Sequence, residues 1–596
     1  MKKRIKLPNG ISDYRRMIKE DYIYIDKTEY IEKLENIHSY VFFLRPRRFG
    51  KSLFTSVLEY YYGINYADEF EQLFGKTYIG KNPTKQRNSY YILKFSFTGL
   101  KTDTAEDLVE SFRRSTVVSF DKFCGKYSLN LEYVKNGEPA DILNDFLAQF
   151  HKNVDGRLYV IIDEYDHFAN ELLSFKTGLF SDIVTRTGFV RKHPAGIPLC
   201  AETCAEIRKW YEKIKDGTSD DTIGRFFATG VSPITLDSLT SGFNIATDYT
   251  RFETFNEMMG FTEGEVRFLI SETLGDVSAD EMEQIVEEMR KCYDGYLFNE
   301  DAENRIFNSN MSLNYLSEYI ERRNPPKNLL DASIASDYSK MGKMFELKNK
   351  SSNYEVLQEI IEGKEQTAFM TVQYSLEKRF DKNDFMSLLF YLGYLTIDRP
   401  YAGMVKLRVP NYVVKELYFS YFERLLEEEY KYELDVSNVQ TALTVLALEG
   451  DNTSLIACIE TVLSSMSNRD AIKTFRRTQV RGTFLMDEKY VKTICFTLCM
   501  LSKCYVVESE NEANKGYSDI QLLKRPGIDV NFYAMIEFKY LSKADDKAEN
   551  ISRKLEAAKE QLGRYNDSPK FKGMHNLKKW AVVFVGDKCV RNEEVL

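Results

Sequence analysis

Two short stretches carry residue types suited to handling a triphosphate. In FLRPRRFGKSLF (residues 43–54) an apolar run enters a loop ending Gly50-Lys51-Ser52, followed by a helical pattern with Leu53, Val57 and Leu58. That is the strand, loop and helix order of a phosphate-binding loop. The glycine lets backbone amides approach phosphate oxygens, the lysine reaches the β and γ oxygens, and the serine hydroxyl can ligate magnesium. In LYVIIDEYD (158–166) an apolar run delivers Asp163 and Glu164 to a strand end. One carboxylate there can hold a metal and the next can orient a water. Candidate nucleotide contacts are Arg45, Arg48, Phe49, Gly50, Lys51, Ser52, Leu53, Asp163 and Thr229, with Ser52 and Asp163 as metal ligands and Glu164 as the catalytic carboxylate. Arg45 stands where the G-x-x-x-x-G-K-S pattern has its first glycine, and with Arg47 and Arg48 it could compensate phosphate charge in cis.

A second constellation lies near the C-terminus, in GYSDI, then YAMIEFKYLSK, then a helical stretch with Gln561 and Tyr565. Strand side chains alternate faces, so Glu537 and Lys539 project to one side while Phe538 turns to the other. Asp519 and Glu537 on neighbouring strands are candidate ligands for one or two magnesium ions, which would polarise a phosphodiester and acidify an attacking water. Lys539 would position that water or neutralise transition-state charge. Asp519, Glu537, Lys539 and Gln561 form the candidate catalytic set, and a further acid could come from Glu488 or Glu508. Arg469, Lys473, Arg476, Arg477 and Arg481, with Lys570, Lys572, Lys578 and Lys579, are candidates to grip a phosphate backbone.

These residues need scaffolds. Strand-like runs at 40–44, 90–97, 158–162 and 225–230, separated by helical patterns, predict an α/β core with a mainly parallel sheet. The run at 225–230 ends RFFATGVSPI, whose Thr229 and Ser232 could sense a γ-phosphate. From residue 261 the pattern turns helical, with Thr262 and Glu265 spaced as a capping box and apolar helical spacing continuing through Val286. KCYDGYLF and IFNSNMSLNYL follow, NPPKN (324–328) marks a break, and a helix, a short strand and another helix lie between about 365 and 435. The expected layout is a core at 1–258, a helical lid at 259–365, a small winged-helix-like connector at 366–435 and a C-terminal α/β domain at 436–596.

At 596 residues several domains are expected. The net charge of −9 supplies no general attraction for nucleic acid, so such binding would need a local basic surface. Nine scattered cysteines, with Cys200/Cys204 and Cys495/Cys499 at helical spacing and no histidine in a zinc-like pattern, read as buried small side chains. No apolar run approaches the roughly 18 residues of a membrane span, and MKKRIKLPNGISDY has no apolar segment of a secretory signal. A cytoplasmic protein without a membrane partner is expected. Arg225 and Arg251 are candidates for an arginine acting in trans, which would make the protein a homo-oligomer.

Taken together, GISDY and YIDKTEYI, RPRRFGKSL, DEYD, ATGVSPI, YDGYLF, FYLGYLTI with VPN, and GYSDI with EFK and Q-x-x-x-Y resemble bacterial proteins that join an AAA-ATPase-like domain to a C-terminal PD-(D/E)XK nuclease-superfamily domain. The resemblance covers nearly the whole chain, and RPRRFGKS is how that family writes its phosphate loop. It implies a P-loop NTPase core of the ASCE class and a restriction-endonuclease-like C-terminal domain. ATP and magnesium are the implied ligands. Lys51 and Ser52 would meet phosphates and magnesium, Asp163 the metal, and Glu164 would be the catalytic base. Asp519 and Glu537 would be nuclease metal ligands and Lys539 the catalytic lysine. The expectation is an ATP-dependent nuclease acting on nucleic acid, DNA ahead of RNA, with nucleotide state gating cleavage. The alternative is an ATPase switch whose degenerate nuclease fold binds nucleic acid or protein without cutting.

Overall fold

A computed structural model describes residues 6–101, 103–167, 199–233, 243–330, 341–345, 350–372, 374, 381–430, 434–467, 488–509, 511–512, 516–517, 520–565, 571 and 574–595. The chain forms two compact units, Met1–Arg323 with Leu330–Asn353 and Thr367–Tyr412, and Asn324–Leu329 with Tyr354–Gln366 and Val413–Leu596. The first unit thus continues past residue 258 through segments that the sequence pattern sets apart as lid and connector.

The first unit is built on a parallel sheet of β1 (Tyr40–Leu44), β2 (Tyr90–Ser96), β3 (Arg157–Asp163), β4 (Ile223–Gly230) and β5 (Thr247–Asp248), in the order β2-β3-β4-β1-β5. β1 and β3 are nearly continuous apolar runs because a parallel sheet is covered on both faces. β4 lies between β1 and β3, pairing Phe43 with Thr229 on one side and Asp163 with Thr229 on the other. The carboxyl ends of three strands therefore meet at one edge, where open α/β sheets bind ligands. Helix α1 (Lys51–Tyr62) follows β1, and α2 (Ala105–Tyr127), α3 (Pro139–Asn153) and α4 (Leu199–Ser219) connect the other strands.

Beyond the sheet, α5 (Glu263–Leu274) starts with both halves of the Thr262/Glu265 capping box in place. The helical pattern expected to run through Val286 divides into α5 and α6 (Ala279–Tyr293). Gly275 takes a positive φ of 78° at the end of α5, and the Ser278 hydroxyl caps α6. Helix α7 (Ser309–Arg322) follows, capped by Asn308, and α8 (Lys382–Tyr391) leads into an antiparallel hairpin of β6 (Thr396–Tyr401) and β7 (Met404–Arg408).

The second unit contains α9 (Val436–Glu449), α10 (Thr453–Ser467), α11 (Glu488–Met500), β8 (Tyr505–Glu508), β9 (Ile520–Lys524), β10 (Tyr533–Leu541), α12 (Ala548–Gly563), β11 (Leu577–Val585) and β12 (Lys588–Val595). Its sheet runs β12-β11-β10-β9-β8, with β10 and β11 parallel and the other pairs antiparallel. A parallel pair needs a crossover, and α12 supplies it. Met535 and Leu541 of β10 pack with Leu555, Ala558 and Leu562 of α12 and with Ala581 and Val583 of β11. Glu537 and Lys539 share the parity of Met535 and Leu541, so they stand on the α12 side of the sheet. Cys495 and Cys499 are buried on α11, as the helical spacing suggests.

Candidate functional site

The loop after β1 is held in a demanding conformation. Arg48 has φ 71°, and Gly50 is left-handed with φ 91° and ψ 16° immediately before α1. A non-glycine residue at positive φ costs energy that neighbouring contacts must offset. The first intrahelical bond of α1 runs from the Phe54 N–H to the Gly50 carbonyl. The amides of Lys51, Ser52 and Leu53 thus stand in the first turn, where helix N–H groups can meet an anion. The Lys51 ammonium is buried and turned back over the loop, donating to the carbonyls of Arg45 and Pro46 at 3.0 Å each. Burial pushes its pKa down, against the pull of Glu164, Asp163 and Asp166.

Asp163 faces this loop from the end of β3. Burial pushes its carboxyl up in pKa while a hydrogen bond with the Ser52 side chain draws it down. Its Oδ1 is buried and has no hydrogen-bond partner among the described residues. An orphaned buried carboxylate oxygen beside a serine hydroxyl suits a hard divalent cation, which takes oxygen ligands. Glu164 adopts φ 54°, accepts a hydrogen bond from the Thr98 hydroxyl at 3.2 Å and pairs with His167 Nδ1 at 3.1 Å. His167 draws the Glu164 carboxyl down to about 2 against burial, with Lys51 assisting. Asp166 accepts backbone N–H groups from Val231 at 3.0 Å and Ser232 at 2.6 Å, and the Tyr165 hydroxyl donates to the Ser232 carbonyl at 2.7 Å. The second half of DEYD thereby clamps the segment after β4.

Several expected contacts take other roles. Arg45 is buried, its guanidinium donating to the carbonyls of Leu44 at 2.9 Å, Thr250 at 2.8 Å and Phe255 at 2.7 Å between the rings of Phe43 and Phe298. It is a strut beneath the loop, not the phosphate contact expected from its charge, because both terminal nitrogens donate to backbone carbonyls. Thr229 is buried and donates its hydroxyl to the Phe43 carbonyl at 2.7 Å, tying β4 to β1 beside Asp163. Arg225 lies at the opposite end of β4, bonded to Gln86 and to the Leu34 carbonyl, and Arg251 pairs with Glu300 at 2.7 Å. Burial of Arg225 in its own chain removes it as an arginine acting in trans.

The motifs that follow the core buttress the loop. Phe49 packs edge-on against Tyr296 and Phe298 of YDGYLF, and its carbonyl accepts the Gly260 N–H at 3.1 Å. Asn308 donates to the Arg47 carbonyl, and the Ser309 hydroxyl and the Asn310 N–H donate to that of Arg48. Gly393 of FYLGYL, at φ 83°, approaches Pro46 so closely that a Cβ would lie 2.8 Å from the proline Cβ. Glycine is the residue that suits both the dihedral and the approach. The residues of these motifs carry no local sign of this role, since nothing nearby in sequence indicates which distant segment they touch.

In the second unit, Glu537 is fully buried and its Oε1 accepts both Lys539 at 2.7 Å and Lys492 at 2.9 Å. Gln561 of α12 accepts from the Lys539 ammonium at 3.1 Å. Glu488 at the start of α11 completes the group, its carboxylate 3.5 Å from Lys492, 3.8 Å from Lys539 and 2.6 Å from Lys554. Burial pushes Glu537 up in pKa against the pull of both lysines. For Glu488 burial acts the same way, but Lys554 and its neighbours prevail and bring it down. The Oε2 atom of Glu537 is buried without a hydrogen-bond partner among the described residues, the same signature as Asp163 Oδ1 and a fit to a divalent cation. No group of three or more metal-ligating side chains occurs among the described residues. Asp519 lies outside them, as do Arg469, Lys473, Arg476, Arg477, Arg481, Lys570 and Lys572. Of the two upstream acids considered, Glu488 adjoins Lys539, whereas Glu508 pairs with Gln521 at the end of β8. Tyr565 belongs to the core beside α12. Lys492 escaped sequence reading, although its i,i+4 spacing from Glu488 was available as a signal.

Comparison with known proteins agrees with the two folds. Residues 8–240 match the family described as "Predicted AAA-ATPase", and residues 486–594 match the PD-(D/E)XK nuclease superfamily. The chain is 27% identical over 300 residues to a protein of Azotobacter chroococcum mcd 1 named "Uncharacterized protein in vnfD 5'region". That alignment covers 50% of each chain, so the match spans about half the length of this curated relative. No described helix is long and apolar enough to cross a membrane. The chain thus carries an AAA-ATPase-like domain followed by a C-terminal domain of the PD-(D/E)XK nuclease superfamily.

Proposed function

We propose that the protein binds and hydrolyses ATP at the edge of the first sheet and cleaves nucleic acid at the second, with nucleotide state gating cleavage. One observation carries this reading. In each sheet a strand carboxylate, Asp163 or Glu537, keeps one buried oxygen unpartnered among the described residues while a lysine stands within its field. Magnesium bound there would supply Lewis-acid polarisation of a phosphoryl oxygen. Lys51 would exchange its two loop carbonyls for phosphate oxygens, a trade of neutral acceptors for charged ones. Glu164 would orient the attacking water, becoming a stronger base when the His167 contact opens. Lys539, aimed by Gln561, would hold water or neutralise the scissile phosphate. The gating element of the proposal rests on both sites sharing one chain.

The test is purified protein with magnesium and ATP against labelled single- and double-stranded DNA and RNA, beside Glu537→Gln and Lys539→Ala. Cleavage by the parent and by neither variant supports the proposal, whereas cleavage persisting in both assigns it elsewhere. The binding-only alternative draws on a specific observation, that Lys492 and Lys539 together already neutralise Glu537. Retention of nucleic acid without cutting by the parent protein would favour it.

A further inference from the structure

Three lysines and two carboxylates meet at the second site: Lys492, Lys539 and Lys554 with Glu488 and Glu537. Lys539 sits on the same strand as Glu537 and is braced by Gln561, while Lys554 pairs with Oε2 of Glu488 at 2.6 Å. Lys539 also spans both acids, 2.7 Å from Glu537 and 3.8 Å from Glu488, but from the same strand as Glu537, whereas Lys492 reaches them from a helix. It springs from α11, one helical turn after Glu488, and its ammonium lies between the two acids, 2.9 Å from Glu537 and 3.5 Å from Glu488. Its side chain is 12% exposed and Glu537 is 0% exposed, so water screens this attraction weakly. Glu537 Oε2 meanwhile has no hydrogen-bond partner among the described residues.

We propose that Lys492 is a tethered cation competing with divalent metal for the Glu488 and Glu537 carboxylates, so that the site loads metal weakly until a nucleic-acid phosphate draws the ammonium away. This rests on the metal-site reading of Glu537 and deepens it by naming the residue that couples metal loading to substrate. Two effects of removing Lys492 oppose each other. The loss of a hydrogen bond loosens Glu537, which weakens metal binding, whereas the loss of a unit charge a few ångströms from a divalent ion strengthens it. A Coulomb repulsion between a double and a single charge at about 5 Å exceeds the net value of one charged hydrogen bond even at an effective dielectric constant of about 20, so repulsion decides the sign. A phosphodiester supplies the anion that could take Lys492 in exchange, leaving both carboxylates to the metal.

The experiment is manganese binding to the full chain without nucleotide, followed by calorimetry and by loss of the free-ion electron paramagnetic resonance signal. The component of binding lost in Glu537→Gln identifies this site separately from the one near Asp163. For that component, Lys492→Met is expected to bind manganese about tenfold more tightly than the parent, and Lys492→Arg, which keeps the charge, about as the parent does. Lys492→Gln serves as the second neutral variant if the methionine variant fails to fold. A phosphorothioate DNA oligonucleotide should tighten manganese binding to the parent and have a smaller effect on the neutral variant. Neutral variants binding manganese no more tightly than the parent would overturn the competition while leaving the metal site in place. If the parent and every Lys492 variant show no component sensitive to Glu537→Gln, the metal-site reading falls first and the proposal with it.

Discussion

The two sites use the same ingredients in opposite ways. In the first sheet Lys51 rests on neutral backbone carbonyls and Asp163 bonds Ser52, so cation and acid are each held by a neutral partner. In the second, Lys539 and Lys492 sit directly on Glu537. A lysine parked on carbonyls can turn to a phosphate at small electrostatic cost. A lysine paired with a buried carboxylate must break a charge-assisted contact in a poorly screened place. On the proposed function, the first site would take an anionic ligand without breaking an ion pair, whereas the second would have to break one.

The largest expected effect follows from that difference. Lys51→Ala should weaken binding of a fluorescent ATP analogue by at least about a hundredfold, since a charged contact to phosphate in a low-dielectric site is lost. Binding within a factor of about two of the parent would erase the contrast between the sites. Next comes the buttress. Gly393→Val places a branched side chain at φ 83° against Pro46, and a strain of about 1–3 kcal/mol should displace the loop. Nucleotide affinity is expected to fall about tenfold with a lower unfolding temperature, whereas the manganese binding that Glu537→Gln removes should be unchanged. A valine variant with parental affinity would mean that Pro46 and its loop tolerate the shift.

The smallest effect concerns pH. The folded pKa of Glu164 is depressed to about 2, chiefly by His167, so its favourable interactions are complete above the ordinary carboxylate range and lost as pH falls toward 2. In His167→Ala the depression shrinks and the acid limb of ATP turnover should move upward by about one to two pH units. A profile superimposable on that of the parent from about pH 2 to about pH 6 would show that His167 does not set the state of Glu164.

The legible part of this molecule was local. Residues 40–44 read as a buried strand and form β1, and the same-side placement of Glu537 and Lys539 follows from strand alternation and ends in a 2.7 Å contact. The Thr262 capping box was legible because both partners lie within four residues. What escaped depends on tertiary neighbours. Arg45 looked like a phosphate ligand because its charge is visible in sequence and its burial against Phe298 is not. The division of the helical stretch after residue 261 depended on the conformation of Gly275, which periodicity alone does not reveal. Lys492 needed the partner Glu537, which is 45 positions away.

The most direct test of two separate sites is the rate of phosphate release from ATP by the parent, Glu164→Gln and Glu537→Gln, with ATP binding measured alongside. The account predicts release by the parent and by Glu537→Gln, and none by Glu164→Gln despite retained ATP binding. Equal release rates in all three proteins would contradict it.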